Sequence, residues 1–350
     1  MHWQLSEEQE LFAASLREWI DAKFPTDKVR ELTAHRSSDG FGGALISEGW
    51  WGVGYPEAIG GQGGGVLELA LAAREFGRAA VPDARWLAGA IVAPLLTDAE
   101  RGAQVSGEVA HVLAVRVDRV PDSTATTRTP LTGRIPHVLA ARDAGVFLVP
   151  TMGPDGPVLA RVDAAKVQID DDDLLDRSRA TATVTLADAP PGATTDLPAA
   201  ALERVSALAG VLVAADALGA AERMLDLAVD YSKQRKQFGQ LIGSFQAVKH
   251  AAAQMLVTVE AAYSSVLYAA AAIDADLPDA PTIAAVAKAQ VTKTVADLAD
   301  SALTVHGAIG YTWEHDLHLF YKRAKLDRVL FGTPAAWNER IAHVLLDQTG

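Results

Sequence analysis

From Pro198 onward the sequence is alanine-rich and written in helical period almost to its end, and this constrains the fold more than any other feature. Ile283, Val286, Ala287, Gln290, Val291, Thr294, Val295 and Leu298 recur at the spacing of one buried helix face. Segments near 200–233, 244–275 and 281–305 are long, and short connections between them predict an antiparallel bundle. No internal repeat or low-complexity tract stands out.

The bundle is interrupted at a corner, YSKQRKQFGQLIGSFQAVKH, from Tyr231 to His250. Arg235 and Lys236 read as the last turn of the first helix, where cations suit the negative end of the dipole. Gly239 is placed to end that helix in the left-handed conformation, and Gly243 gives a second flexible point. Ser244 then caps a helix that opens with Phe245 and Gln246. Capping rules alone account for every one of these residues, so the corner carries no function until something else points to one.

Before the bundle the period changes twice. From Leu5 to about Ala103 the pattern is helical: Ser6 with Gln9 makes a capping box, and Leu11, Phe12, Leu16, Trp19 and Ile20 follow it. Val66 to Phe76 reads as another helix, closed near Gly77 and Pro82. The run Gly60-Gly61-Gln62-Gly63-Gly64-Gly65 lacks the preceding strand and the Lys-Ser/Thr of a phosphate cradle and reads as a flexible loop, with Trp50 and Trp51 beside it as packing. From Gly107 the segments AHVLAVRVDRV, VFLVP and ATATVTLADAP alternate or run short and β-branched. Asp170 to Asp173 read as an acidic surface turn, because a calcium loop needs alternating ligands, a Gly and a closing Glu. The fold class is α+β, mostly α: an N-terminal helical domain (1–106), a small middle β domain (107–197) and a C-terminal antiparallel helix bundle (198–350).

Composition narrows the function classes. At 350 residues the chain can hold two or three domains around a large core. Lys plus Arg is 31 against 44 Asp plus Glu, a net charge of −13 with no basic run, which argues against nucleic acid. The absence of cysteine excludes disulfides, thiolate metal sites and a thiol nucleophile. The start MHWQLSEEQE is too polar for a signal peptide and no apolar run reads as a membrane span, so a cytoplasmic location is expected. His315 and His318 are spaced to share a helical face, but no third ligand is evident, so no metal is expected.

Three blocks carry a resemblance. Arg-x-x-Phe-Gly followed by Phe-Gln, here Arg235, Phe238, Gly239, Phe245 and Gln246, resembles the signature of the acyl-CoA dehydrogenase family. HGAIGYTWEHDLHLFYKRAK, His306 to Lys325, resembles that family's HGGxGY segment and the Arg-Asp-Ala-Lys after it. EGWWGVGYPEAIGGQGGG, Glu48 to Gly65, resembles its N-terminal Gly-Trp … Pro-Glu-x-x-Gly-Gly-x-Gly pattern, which lies beside the acyl pocket. The resemblance implies an FAD-dependent oxidoreductase that desaturates an acyl-CoA, in lipid or steroid degradation, and passes electrons to an electron-transfer flavoprotein or equivalent acceptor. Such an enzyme needs a bound flavin, hydrogen bonds that polarise the thioester carbonyl and a carboxylate over the α-carbon, a base worth about 10²–10⁴-fold in rate.

Carried over by position, Arg235, Phe238 and Gln246 match residues that contact the FAD of the neighbouring subunit, Gly307 and Gly310 match the segment near its adenosine end, and Thr333 matches a contact to its phosphate region. The family's Gln-x-x-Gly-Gly reads Thr304, Val305, His306, Gly307, Ala308 here, the Gln that follows the matched Thr reads Ala335, and the Thr-Glu-Pro-x-x-Gly-Ser stretch of the β domain is missing. The base is missing too. Its usual position is Phe331, and its alternative position on the helix before the corner is Ala209. Glu203 and Asp216 flank Ala209 but lie about 9–10 Å along the axis. The resemblance is thus to the base-lacking subunits of heteromeric bacterial acyl-CoA dehydrogenases, whose homologous partner supplies the Glu. The alternatives are a relocated base at Asp327, Glu314 or Asp316, a flavin-dependent monooxygenase on the same fold, and a non-enzymatic stabilising subunit.

Overall fold

The computed structural model describes residues 5–35, 39–121 and 131–347. Six helices come first: α1 (Glu7–Lys23), α2 (Thr26–Ala34), α3 (Asp39–Ser47), α4 (Val66–Ala79), α5 (Ala84–Val92) and α6 (Asp98–Val105). Ser6 and Gln9 form the reciprocal box expected at the start of α1, with bonds of 3.0 and 3.2 Å. Leu16 and Ile20 are buried behind it, while Leu11 faces water. α4 runs past Gly77, where the sequence pattern closes it, because the missing side chain there serves packing. A Cβ on Gly77 would lie 2.0 Å from Asp216 O, and one on Gly219 would lie 1.8 Å from Arg74 O. The backbones of α4 and the long helix α7 (Ala199–Gln234) therefore meet in direct contact.

The glycine-rich run is not loose. Gly54 N–H donates to Gly63 O at 2.8 Å and Gly63 N–H to Tyr55 O at 2.9 Å, and a Cβ on Gly61 would collide with Tyr55 O at 2.1 Å. The glycines close a tight turn against its own chain rather than around a phosphate. Trp51 is buried beside it, as the packing role requires.

Two small sheets follow. β1 (His111–Leu113), β3 (Val146–Met152), β4 (Pro157–Asp163) and β7 (Thr194–Asp196) pair in the order β1-β3-β4-β7, parallel only between β1 and β3. β2 (Leu131–Leu139), β6 (Thr181–Ala189) and β5 (Gln168–Asp171) form an antiparallel sheet in the order β2-β6-β5. The acidic run is half strand, not a free turn. Asp170 and Asp171 end β5, Arg142 pairs with Asp171 at 2.7 Å, and Thr181 Oγ1 donates to Asp172 at 2.7 Å.

The rest is helical: α7, α8 (Gln246–Asp274), α9 (Ala280–His306), α10 (Leu317–Asp327) and α11 (Pro334–Asp347). On α9, Val286 and Gln290 face water, and the buried stripe passes instead through Ala284, Lys288, Val291 and Val295. α7 and α8 are long and apolar enough to cross a membrane by length and composition, contrary to the sequence expectation, but 94% of the apolar window of α7 is buried within the fold. Asp274, at the end of α8, accepts the first amides of α4 from Val66 (2.7 Å) and Leu67 (2.9 Å), a cap supplied from across the molecule.

The three parts meet at a buried ion network. Arg179, just before β6, donates to both oxygens of Asp83 at 3.0 Å and to Asp327 at 2.5 Å. Arg323 on α10 binds Asp216 of α7 at 2.7 and 2.8 Å, Asp83 at 2.8 Å, Val81 O at 3.0 Å and Ser178 Oγ at 2.7 Å. All five charged side chains are fully buried. Burial would push Asp216 up, but Arg179 and Arg323 outweigh it and hold the carboxyl below its ordinary range. Burial, with ionised Asp216 alongside, pushes Asp327 well above its own. Two guanidiniums thus face an Asp216 that favours its ionised form and an Asp327 that favours its proton. Arg179→Met, which strands Asp83 without its main partner, should cost about 3–5 kcal/mol, read as a fall in the urea midpoint.

Candidate functional site

The corner differs from its sequence reading. α7 ends at Gln234, so Arg235 and Lys236 lie beyond its last turn. β8 (Lys236–Gln237) and β9 (Gln240–Leu241) pair as a hairpin, and its two turn residues, Phe238 (φ 52°) and Gly239 (φ 80°), are both left-handed. That is the geometry a two-residue hairpin needs, so Gly239 serves the hairpin rather than the helix end. Ser244 does not cap α8; its Oγ donates to Leu241 O at 2.6 Å, and Phe245 takes the cap position without a side-chain bond. Gly243 is not a left-handed hinge but a close-approach residue, since a Cβ there would lie 3.0 Å from Ser232 O. Phe238 is 92% exposed, and Arg235 and Gln246 are exposed as well. Phe238 thus carries a large apolar ring in water at the hairpin tip, in a conformation that costs a non-glycine residue about 1–2 kcal/mol.

The end of α9 lies beside the hairpin's root. The ring of Tyr231 stacks on His306 at 4.8 Å between centroids, which brings Arg235 and Gly307 to the same end of the bundle. Gly307 has φ 66° and nothing within 4 Å of a would-be Cβ, so this backbone is open to a ligand. Gly310 is different: its Cβ would meet Leu303 Cδ1 at 2.8 Å, so it serves internal packing. His315 precedes α10 and accepts from Leu317 N at 3.1 Å, while His318 lies within the helix against Trp313. Among the described residues no group of three side chains could hold a metal.

Phe331 and Thr333 sit far from that end. Lys288, a third of the way along α9, reaches Gly332 O at 3.2 Å, and it lies eighteen residues of helix before His306, about 27 Å of axis. Phe331 is 3% exposed, in a left-handed conformation (φ 56°), and its amide donates to Val117 O at 2.5 Å. Ala209 is fully buried, and a Cβ on its neighbour Gly210 would lie 3.4 Å from Lys288 Cβ and Trp337 Cη2. Both positions matched by resemblance to the family's base are therefore apolar and buried, and the Phe331 amide is already bonded. Asp327 is sealed in the ion network. Asp316 is bonded to Arg30 at 2.5 Å at the opposite end of α10 from Phe331, and Glu314 is exposed nearby.

Comparison with known proteins settles the family. The sequence matches the acyl-CoA dehydrogenase N-terminal domain over residues 6–100 and the C-terminal domain over 205–346. It is 34% identical to acyl-CoA dehydrogenase IpdE2 of Mycobacterium tuberculosis, over 80% of this chain and 78% of that protein. The chain belongs to the acyl-CoA dehydrogenase family. It is also 38% identical to acyl-CoA dehydrogenase FadE34 of the same organism over 85% of its length, but spans only 41% of that protein. Among solved structures, the ChsE4-ChsE5 complex from Mycobacterium tuberculosis matches with a TM-score of 0.84 and 24% identity over 99% of both chains.

Acyl-CoA dehydrogenases are FAD-binding oxidoreductases, and the two ends of this chain fit that cofactor unequally. The exposed Arg235 guanidinium and the open backbone at Gly307 suit a dinucleotide pyrophosphate approaching from outside. At the other end Thr333 is exposed but its hydroxyl accepts from Ala336 N at 3.3 Å, starting α11, and Phe331 fills the neighbouring position. The outward half fits; the inward half offers one hydroxyl.

Sequence reading missed Lys288, although a lysine in an alanine-rich apolar stripe was a visible signal. Its ammonium donates to Asp327 O at 2.9 Å and Gly332 O and so holds the turn that carries Phe331. Burial pushes its pKa down to about 7. In the unfolded chain Lys titrates near 10.4, so between about pH 7 and 10 unfolding takes up a proton and stability rises with pH, by up to about 1.4 kcal/mol per unit. Urea midpoints should therefore climb from about pH 7 to 9 in the native chain relative to Lys288→Met. Parallel profiles would show that Lys288 keeps its proton.

Proposed function

We propose that this chain is the base-lacking subunit of a heteromeric acyl-CoA dehydrogenase and completes the FAD site of a homologous partner that carries the catalytic Glu. The observation that carries this reading is the contrast between the two ends. Where a thioester would be deprotonated the chain presents buried Phe331 and Ala209 and an amide already bonded to Val117, while Arg235, Phe238 and Gln246 stand outward on the hairpin and the start of α8. The ChsE4-ChsE5 complex, a pairing of two named chains on this fold, supports an assembly of this kind.

FAD bound at such an interface supplies the hydride acceptor for the β-carbon. Arg235 would pair phosphate oxygens through its planar fork, Gln246 would add an amide at the head of α8, and Gly307 would let the backbone come close. The partner's carboxylate would take the α-proton, and an electron-transfer flavoprotein or equivalent would be the final electron acceptor.

Purified alone, the chain should be colourless or weakly yellow and inactive, and co-expression with a homologous neighbour bearing the Glu should give a yellow complex that desaturates an acyl-CoA. Full activity from the solitary chain would overturn the partner reading, NADH-linked oxygen consumption would favour a monooxygenase, and a tight colourless complex would leave a stabilising subunit. Within the complex, Arg235→Ala should leave stability within about 0.5 kcal/mol, since the side chain is exposed, yet deplete bound flavin absorbance. Retained flavin would remove Arg235 from the site.

A further inference from the structure

The buried ion network holds more carboxyls than guanidiniums. Arg179 and Arg323 meet Asp83, Asp216 and Asp327, and all five side chains are sealed from water. The three acids crowd one guanidinium. Arg179 gives Nε and Nη2 to Asp83 at 3.0 Å, Nη2 to Asp216 Oδ1 at 3.0 Å and Nη1 to Asp327 Oδ1 at 2.5 Å. Arg323 then binds both oxygens of Asp216 and Oδ1 of Asp83. Asp83 and Asp216 thus have every oxygen bonded. Asp327 does not: its Oδ2 is buried and has no donor among the described residues.

An ionised oxygen sealed from water with no donor is a costly state, and a proton removes the cost by turning that oxygen into a donor. The acceptor is at hand. Asp216 and Asp327 sit on the two terminal nitrogens of the same guanidinium, and a hydrogen bond joins their carboxyls. Two acids this close in a dry site do not both ionise. The charges that face Asp327 come from every side: Asp216 from α7, Arg179 from the β5–β6 connection, Arg323 from its own helix and Lys288 from α9. Asp83, between α4 and α5, and Asp176 bear on the guanidiniums. Burial and then Asp216 push Asp327 up, and the two arginines do not offset them. Lys288 leaves Oδ2 unfilled, because its ammonium donates to the backbone oxygen of Asp327 at 2.9 Å.

We propose that Asp327 is held as a neutral carboxylic acid that donates its proton to Asp216, so that one buried proton closes the joint between the N-terminal helices, the β-rich part and the bundle. In the unfolded chain an Asp releases that proton near pH 3.9. Folding therefore takes up a proton at any pH between about 4 and the point where the folded chain itself ionises. The stability that Asp327 contributes is complete below that window and drains as pH rises through it. The joint is pH-sensitive by construction and weakest in alkali.

Asp327→Asn tests this, because an Asn amide donates to Asp216 and accepts from Arg179 as the protonated acid does, with nothing to titrate. In urea unfolding from about pH 5 upward the Asn chain should be the more stable, and the unfolding constant of the native chain should grow about tenfold per pH unit relative to it, levelling where folded Asp327 ionises. The trend should persist when both chains also carry Lys288→Met, which separates this proton from the one Lys288 releases. Infrared spectra near neutral pH should show the carbonyl band of a protonated carboxyl that the Asn chain lacks. An ionised Asp327 paired with Arg179 requires the opposite: an Asn chain that is less stable than the native one or does not fold, a stability difference independent of pH above about 5, and no such band. Any of these results would overturn the proposal.

Discussion

The arrangement of this molecule depends on two guanidiniums that never meet water. Arg179 comes from the β-rich part and Arg323 from the helical bundle, and both reach Asp83, between α4 and α5 of the N-terminal helices. Buried ions of this kind contribute little net stability compared with apolar packing, but they tolerate few alternative geometries, because each lone pair and N–H must find its counterpart. The network therefore works as a register device. It fixes where α10 lies against α7 and where the strands lie against both. Lys288 extends the same logic toward the Phe331 turn by bonding Asp327 O and Gly332 O.

That rigidity explains how the two ends of the chain can differ so much. The turn carrying Phe331 is pinned from below by Lys288, from one side by Val117 O, and from the other by Trp337, whose Nε1 donates to Phe331 O at 3.0 Å. Both the amide and the carbonyl of Phe331 are thereby bonded within the fold. The hairpin at the other end has the opposite character: a short ladder and few side-chain bonds, with an exposed ring at its tip.

The helices were legible in the sequence because alanine-rich periodicity over thirty residues leaves few alternatives, and the β-rich part because its strands are short, β-branched and bounded by Gly, Pro and Asp. The Ser6–Gln9 box could be read directly. The corner could not. Arg235, Gly239 and Ser244 satisfy helix-capping rules in isolation, and only the pairing of Lys236 with Leu241 turns them into a hairpin. The ion network was illegible for a related reason: its members lie between 83 and 327 in sequence, and nothing local distinguishes Arg179 from a surface arginine. Of the candidate site, the loss of a carboxylate at Phe331 and Ala209 was plain from residue identity. The bonded amide at Phe331 needed coordinates.

The crossing of α4 and α7 has a consequence for how this chain could change over evolutionary time. At Gly77 and Gly219 the two main chains touch with no side chain between them. Ordinary pockets widen by trimming side chains, and here nothing remains to trim. New space in this region would require the two helices to part, against the cap that Asp274 places on α4 and the ion pairs Arg74–Glu222 (2.8 Å) and Arg78–Asp226 (2.6 Å) beside the crossing, so its tightness is locked in by geometry rather than by any one replaceable residue.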